Sequence, residues 1–122
     1  MKKLFLAATC LLAMVSLAWS GPLVTLEWTA NSESDLAGYS VYRSQTDGGP
    51  YTKIGSVMAP TVTFTDGTSD YDVLYYYVAT AFDTSGNESG YSNQVSNLVE
   101  QPDETPPGDP KGVSVTVQVT VN

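Results

Sequence analysis

The sequence predicts an all-β domain in which two sheets pack face to face as a sandwich. Short segments rich in aromatic and β-branched residues alternate between apolar and polar positions, which is the period of a strand. Clusters of Gly, Pro, Asn and Asp separate these segments at the regular spacing that is typical of sandwiches. No long segment has the apolar periodicity of a helix.

Residues 1–20 have the organisation of a secretory signal peptide. Lys2 and Lys3 precede an apolar run from Leu4 to Ala18, and Ala18-Trp19-Ser20 has the small, any, small pattern of a signal peptidase site. We therefore expect the mature protein to begin at Gly21 and to be secreted, to the periplasm, the cell surface or the medium. The apolar run is short for a membrane-spanning helix, so we expect no membrane insertion after its removal.

The composition of the mature chain excludes several classes of function. Three basic residues (Arg43, Lys53 and Lys111) stand against thirteen acidic ones, a net charge near −10 that provides no basic patch for nucleic acid. The sequence has no histidine, and its single cysteine, Cys10, lies in the predicted signal peptide. The commonest general base, the thiol nucleophile and the main transition-metal ligands are therefore missing. We predict no catalytic residue, no metal site and no cofactor.

The first strands of the mature chain alternate cleanly. Residues 23–29 place Val24, Leu26 and Trp28 on one face, which predicts a half-buried strand with an aromatic anchor. Alternation resumes over residues 39–43, and Asp47-Gly48-Gly49-Pro50 predicts a turn into a short strand at 51–57. The core positions predicted in this half are Trp28, Tyr39, Val41 and Ile54.

The second half contains the segment on which the fold is centred. Residues 74–82, Leu-Tyr-Tyr-Tyr-Val-Ala-Thr-Ala-Phe, contain no Gly or Pro and are rich in strand-forming residues, which predicts a central strand. Residues 61–65 before it and 91–99 after it are the remaining predicted strands. The core positions predicted in this half are Phe64, Tyr75, Tyr77 and Val95.

In this order the segments resemble a bacterial fibronectin type III domain over about residues 23–99. The resemblance rests on Val-Thr-Leu-Glu-Trp (24–28), Asp-Leu-Ala-Gly-Tyr-Ser-Val-Tyr-Arg-Ser (35–44), Gly-Gly-Pro-Tyr-Thr-Lys-Ile (48–54), Tyr-Tyr-Tyr-Val-Ala-Thr-Ala (75–81), and Ser-Gly-Asn-Glu-Ser (85–89) followed by Tyr-Ser-Asn-Gln-Val-Ser (91–96). It implies an immunoglobulin-like sandwich with Trp28 in the core. It also implies that Tyr75 is the tyrosine-corner residue, with its hydroxyl bonded to nearby backbone.

The sequence departs from that family in two places. The family has Leu six residues before the corner tyrosine, where this chain has Ser69, and Tyr71 is the neighbouring residue able to fill the gap. The family also begins with a short strand A, whereas this mature chain enters strand B almost at once, at Gly21-Pro22-Leu23. We therefore expect strand A to be missing at the N-terminus of the domain.

The C-terminal segment resembles the missing strand A. Residues 100–111 are acidic and rich in proline, so we expect an extended linker. Residues 112–122 then alternate valine with small polar residues and resemble the lead-in and first strand of the same family. An uncharged alternating strand pairs readily with an exposed sheet edge. The predicted acceptor is the strand of Val24, Leu26 and Trp28, and the predicted assembly residues are Val113, Val115, Val117, Val119 and Val121.

Several arrangements of this C-terminal strand are open. It can be donated to a neighbouring molecule, which builds a head-to-tail filament, because in tandem domains the end of one domain meets the start of the next. It can instead complete its own domain, form a hairpin with the last strand, or be the remnant of a tandem array. The partner of the C-terminal strand is therefore predicted to be protein. In the first of these arrangements, that partner is a further copy of this chain.

These observations lead to two predicted functions. The first is a non-catalytic secreted structural or adhesive module that assembles through its C-terminal strand. The second is an accessory module that presents carbohydrate or a protein partner to an exported machine, with Tyr42, Tyr76 and Tyr91 lining the binding face. Acidic loop residues are weaker candidates for calcium binding or acid-base chemistry: Asp66, Asp70, Asp72, Asp83 and Glu88.

Overall fold

In the computed structural model, which describes residues 6–11, 21–112 and 114, the chain is all-β. The strands form two antiparallel sheets, one in the order β1-β2-β5 and the other in the order β4-β3-β6-β7. The predicted two-sheet sandwich is confirmed. The strands are β1 (Leu6–Leu11), β2 (Leu23–Trp28), β3 (Leu36–Ser44), β4 (Thr52–Met58), β5 (Thr63–Asp66), β6 (Leu74–Asp83) and β7 (Val95–Leu98). No helix in the described residues has the length and apolar character needed to cross a membrane.

The core lies where the two inner faces meet. Leu26 of β2, Tyr39 of β3 and Tyr77 of β6 are fully buried, and the rings of Trp28 and Tyr39 lie 5.1 Å apart. Alternation along each strand produces this arrangement, because every second side chain turns inward. Among the predicted core positions, Trp28, Tyr39, Val41, Tyr75 and Tyr77 are buried, whereas Ile54, Phe64 and Val95 are half-buried and pack against the buried cluster.

The last strand is shorter than the sequence predicts. The alternating pattern predicts a strand over residues 91–99, but β7 covers only Val95–Leu98. Before β7, serine hydroxyls take the place of backbone carbonyls as acceptors for the amides of β6. The Ala81 amide donates to Ser89 Oγ and the Ala79 amide donates to Ser92 Oγ, both at 2.9 Å. Side-chain oxygens of this kind compete with backbone carbonyls for strand amides, which ends regular pairing.

The tyrosine corner forms around Tyr75. Its hydroxyl accepts a hydrogen bond from the Asp70 amide at 3.3 Å and donates to Asp70 Oδ2 at 3.1 Å. Ser69, which stands where the family has Leu, is buried and donates from Oγ to the Pro22 carbonyl at 3.0 Å. Tyr71 packs partly buried against the core. A hydrogen bond from Ser69 to the residue before β2 thus takes the place of the apolar packing expected of leucine.

The edge of β2 that was expected to be empty is occupied in the full chain. β1 pairs antiparallel with it, from Leu6 opposite Trp28 to Leu11 opposite Leu23, and Leu6 is buried. Strand A was expected to be missing from a mature chain that begins at Gly21, and the strand seen here comes from residues 6–11 of the predicted signal peptide, whose apolar residues also suit an exposed sheet edge. The rest of that segment (1–5 and 12–20) and the predicted assembly residues Val113, Val115, Val117, Val119 and Val121 lie outside the described residues.

Candidate functional site

Three tyrosines cluster beside the start of β7. The ring of Tyr91 stands edge-on to Tyr42 of β3, with centroids 5.3 Å apart, and to Tyr51, with centroids 5.1 Å apart. Tyr91 keeps 43% of its surface exposed. Together with Glu88 and Gln94, which bond to these tyrosines, they form what we call the tyrosine surface.

The structure brings together two of the three aromatic residues that the sequence suggested for binding. Tyr42 and Tyr91 are in ring contact, whereas Tyr76 lies farther along the same face of β6, opposite Ser96, and has no ring contact with them among the described residues. Tyr51 was not among the predicted binding residues. It directly follows the turn at residues 47–50, and strand alternation does not show where a side chain points at the end of a turn.

The turn before Tyr51 is fixed in place by Gln94. The Gly48 amide donates to Gln94 Oε1 at 2.9 Å, and Gln94 Nε2 donates to Asp47 Oδ1 at 2.7 Å. The Tyr51 hydroxyl also donates to Gln94 Oε1. Gly48 has a φ of 82°, in the left-handed region that favours glycine. The turn and the residue before β7 are therefore held as one unit, and Tyr51 is positioned before any ligand binds.

Glu88 is the charged group of the tyrosine surface. It accepts hydrogen bonds from the Tyr42 hydroxyl and from Thr80 Oγ1, the latter at 2.5 Å. Hydrogen bonds from Thr80 and Tyr42 lower the pKa of Glu88. Burial, together with the hydrogen bond to Glu88, raises the pKa of Tyr42 to about 12. At neutral pH the carboxylate is therefore ionised and the phenol keeps its proton.

A shallow cavity opens between these groups. Its volume is about 210 Å³, and its lining consists of Tyr42, Thr80, Glu88, Ser89, Gly90 and Tyr91. An exposed aromatic ring can pack against the apolar face of a ring-shaped ligand, while a carboxylate with spare lone pairs accepts hydrogen bonds from its hydroxyls. The arrangement is thus suited to binding a small polar ring.

The other acidic residues form structural hydrogen bonds. Asp83 accepts from the Ser85 and Asn87 amides at 3.0 and 2.8 Å, and the hydrogen bonds from Asn87 lower the pKa of Asp83. Asp70 is bonded to Tyr75, and Asp72 Oδ1 accepts from the Gln101 amide at 3.2 Å. Within the described part of the chain, no group of three or more acidic, histidine or cysteine residues is placed to hold a metal ion.

Asp66 links the two sheets through a buried network. Its Oδ2 accepts from Arg43 Nη1 of β3 and from the Tyr77 hydroxyl of β6, both at 2.8 Å, and its Oδ1 accepts from the Thr68 hydroxyl at 2.7 Å. The Arg43 guanidinium also lies 4.5 Å from the centre of the Tyr75 ring. Burial raises the pKa of Asp66, but hydrogen bonds from Thr68, Tyr77 and Arg43 outweigh it and leave that pKa below its usual value.

Solved structures with the same architecture identify the fold. A Fn3-like protein from Clostridium thermocellum has a TM-score of 0.58 and 26% identity, and the match covers 80% of this chain and 93% of that one. A human fibronectin type III domain, derived from the KIAA0970 protein, has a TM-score of 0.61 at 17% identity, covering 93% of this chain and 86% of that one. The chain has a fibronectin type III fold. The resemblance seen in the sequence is confirmed.

Sequence comparison links this fibronectin type III module to a class of enzymes. Over 68 residues it is 45% identical to an amylopullulanase from Thermoanaerobacterium thermosulfurigenes. The match covers 55% of this chain but only 3% of that protein. The chain therefore corresponds to a small segment of the enzyme. No family model matches the chain.

Proposed function

We propose that the mature protein is a non-catalytic, secreted accessory module whose tyrosine surface binds carbohydrate. The observation that carries this proposal is the exposed ring of Tyr91, which stands edge-on to Tyr42 and Tyr51 and lines the same cavity as the ionised Glu88. Both ring and carboxylate are fixed by contacts within the protein. Little ordering entropy is therefore lost when a ligand binds.

The ligand class follows from charge and from the comparison. The whole chain has a net charge of −8, which repels anionic polymers and favours a neutral sugar. The likeness to a segment of an amylopullulanase supports a neutral glucan, with pullulan as the first ligand to test. The module would then hold glucan near an exported enzyme.

Binding to pullulan tests the proposal. Affinity electrophoresis of the secreted protein in pullulan gels is expected to show retardation, which Tyr91→Ala reduces by about tenfold or more in affinity because it removes the exposed ring. The matched control is Tyr76→Ala, which removes a tyrosine from the same sheet outside the cluster and is expected to leave affinity unchanged. The proposal is wrong if the wild-type protein is not retarded, or if Tyr91→Ala and Tyr76→Ala behave alike.

A second candidate function is structural or adhesive, with copies of the protein joined head to tail. The specific observation in its favour is the pairing of β2 with residues 6–11, which belong to the predicted signal peptide. Removal of that peptide would expose the β2 edge for another strand. Concentration-dependent assembly without glucan binding would favour this function, whereas glucan binding by a monomer would favour the first.

A further inference from the structure

The β2 edge accepts a strand through contacts that do not depend on which residues the strand contains. Asn93 is the clearest case: its Oδ1 accepts from the Leu6 amide at 2.9 Å and its Nδ2 donates to the Leu6 carbonyl at 3.1 Å. The side-chain amide of Asn93 thus pairs with the backbone of Leu6 as a neighbouring strand would, and it makes no use of the Leu6 side chain. Any strand that places one residue beside Asn93 can make the same two bonds.

The side-chain requirement of this edge is equally simple. Val24, Leu26 and Trp28 of β2 are buried, and the strand paired with them places Leu6 in the core and leaves Ala7 exposed. A replacement strand therefore needs an apolar residue at every second position and tolerates small polar residues between them. Residues 113–121 satisfy this requirement with valine at every odd position and no charge.

We propose that, once residues 1–20 are removed, residues 113–121 of a second copy take the place of β1 beside β2. This inference deepens the second candidate function and does not depend on carbohydrate binding. Loss of β1 uncovers unpaired backbone groups of β2 and the apolar side chains beneath them, which favours any strand able to cover both. The incoming strand runs in the direction of β1, with one of its residues bonded to Asn93.

The path of the linker favours a second copy over the same chain. The Asp72 amide donates to the Val99 carbonyl at 2.8 Å, which holds the chain at the end of the domain where β2 begins. A strand running in the direction of β1 must enter at the other end, beside Trp28, about 20 Å away by the rise of six strand residues. Residues 100–112 are all exposed, so no buried contact of the linker leads residues 113–121 back to that end of the same domain.

Amide hydrogen exchange on two forms of the protein tests the proposal directly. The full chain, produced without export so that residues 1–20 remain, is compared with the secreted protein. We expect amides within 114–120 to exchange about 100-fold more slowly in the secreted protein, because only there is the β2 edge free to pair with them. The protection should rise with protein concentration, together with the mass measured by light scattering.

Each contrary outcome of this exchange experiment overturns the proposal. Equal exchange rates in the two forms would show that β1 and residues 113–121 do not compete for one edge. Protection in a protein that remains monomeric at all concentrations would show that the strand completes its own domain. Assembly without protection of 114–120 would show that the copies join at another surface.

A matched pair of substitutions separates strand insertion from general effects of charge. Val117→Asp places a carboxylate in the row that faces the core and is expected to abolish assembly, since burying an unpaired charge is strongly unfavourable. Thr116→Asp adds the same charge one residue away, on the outward row, and is expected to assemble like the wild type. The proposal fails if both variants assemble or if neither does.

Cysteine cross-linking identifies the pairing strand, because the secreted protein is expected to contain no cysteine of its own. Thr25→Cys on the outward face of β2 is combined in turn with Ser114→Cys, Thr116→Cys or Gln118→Cys. At least one pair should form disulfide-linked multimers on a non-reducing gel, whereas Thr25→Cys alone should not. Cross-links confined to single chains, or none with any pair, would overturn the proposal.

Discussion

The two sheets of this domain differ in the part of the chain from which their strands come. All four strands of the larger sheet, in the order β4-β3-β6-β7, come from residues 36–98, a stretch that also contains β5 of the smaller sheet. The three-stranded sheet depends on residues 6–11 for its outer strand, and these residues belong to the predicted signal peptide. The core is thus covered on one side by strands from a single stretch of the chain, and on the other side partly by a segment that is predicted to be removed on secretion.

Asp66 is the main polar link between these sheets. It lies at the end of β5, in the three-stranded sheet, and its hydrogen bonds reach β3 and β6 in the other. None of these hydrogen bonds involves β1. Three substitutions test how far each sheet depends on β1.

A core substitution in the four-stranded sheet should have the largest effect and should not depend on β1. Tyr39→Ala removes a fully buried ring that packs on Trp28, and we expect a loss of about 3 to 5 kcal/mol in the free energy of unfolding. Urea titration of the full chain and of a chain that begins at Gly21 should give the same loss. A markedly smaller loss in one form would show that the packing of Tyr39 depends on β1.

The control for that experiment keeps the ring. Tyr39→Phe removes only the hydroxyl, which accepts a hydrogen bond from the Asn31 amide at 2.8 Å. We expect it to cost about 1 kcal/mol, the typical value of one hydrogen bond. If Tyr39→Phe costs as much as Tyr39→Ala, ring packing is not the cause of the loss.

Removing the charge of Asp66 should have an intermediate effect that depends on pH. Because the folded pKa of Asp66 is lowered, its ionised form stabilises the protein above the unfolded pKa of about 3.9, and this contribution is lost as pH falls through the folded pKa. Asp66→Asn should therefore cost about 2 to 3 kcal/mol at neutral pH, where Arg43 loses its charged partner. The gap to the wild type should narrow below pH 4.

Unfolding titrations from neutral to acid pH measure that difference. Asp103→Asn, in the exposed linker, provides the control and should change stability by less than about 0.5 kcal/mol at any pH. A constant gap between wild type and Asp66→Asn across the acid range would contradict the assignment of the pH dependence to this carboxylate.

The smallest expected effect concerns the contact between Asn93 and β1. Asn93→Ala removes both side-chain bonds to Leu6 and should destabilise the full chain by about 1 kcal/mol, since the side chain is solvent-exposed. In a chain that begins at Gly21, the same substitution should weaken the proposed assembly while leaving the free energy of unfolding of the monomer unchanged. An equal loss in the monomer would mean that Asn93 stabilises the domain by another route.

Local alternation was enough to predict most strands. β2 and β6 begin at the predicted residue and end within one residue of the predicted end. β7 was predicted too long, since serine hydroxyls compete with the backbone for the amides of β6 and alternation does not register this competition. Tyr51 could not be assigned to the tyrosine surface, because a turn and a residue more than forty positions away, Gln94, decide where its ring lies.

The sequence by itself determined the fold class, the central strand and the absence of histidine and of cysteine beyond residue 10, because these depend on residue type and on short-range periodicity. Only the tertiary structure decided which strand closes β2 and which tyrosines meet. Both are contacts between segments far apart in the chain, and residues 6–11 carry the apolar pattern of a signal peptide and of a strand at once. Which role such a segment takes depends on whether an unpaired edge is beside it.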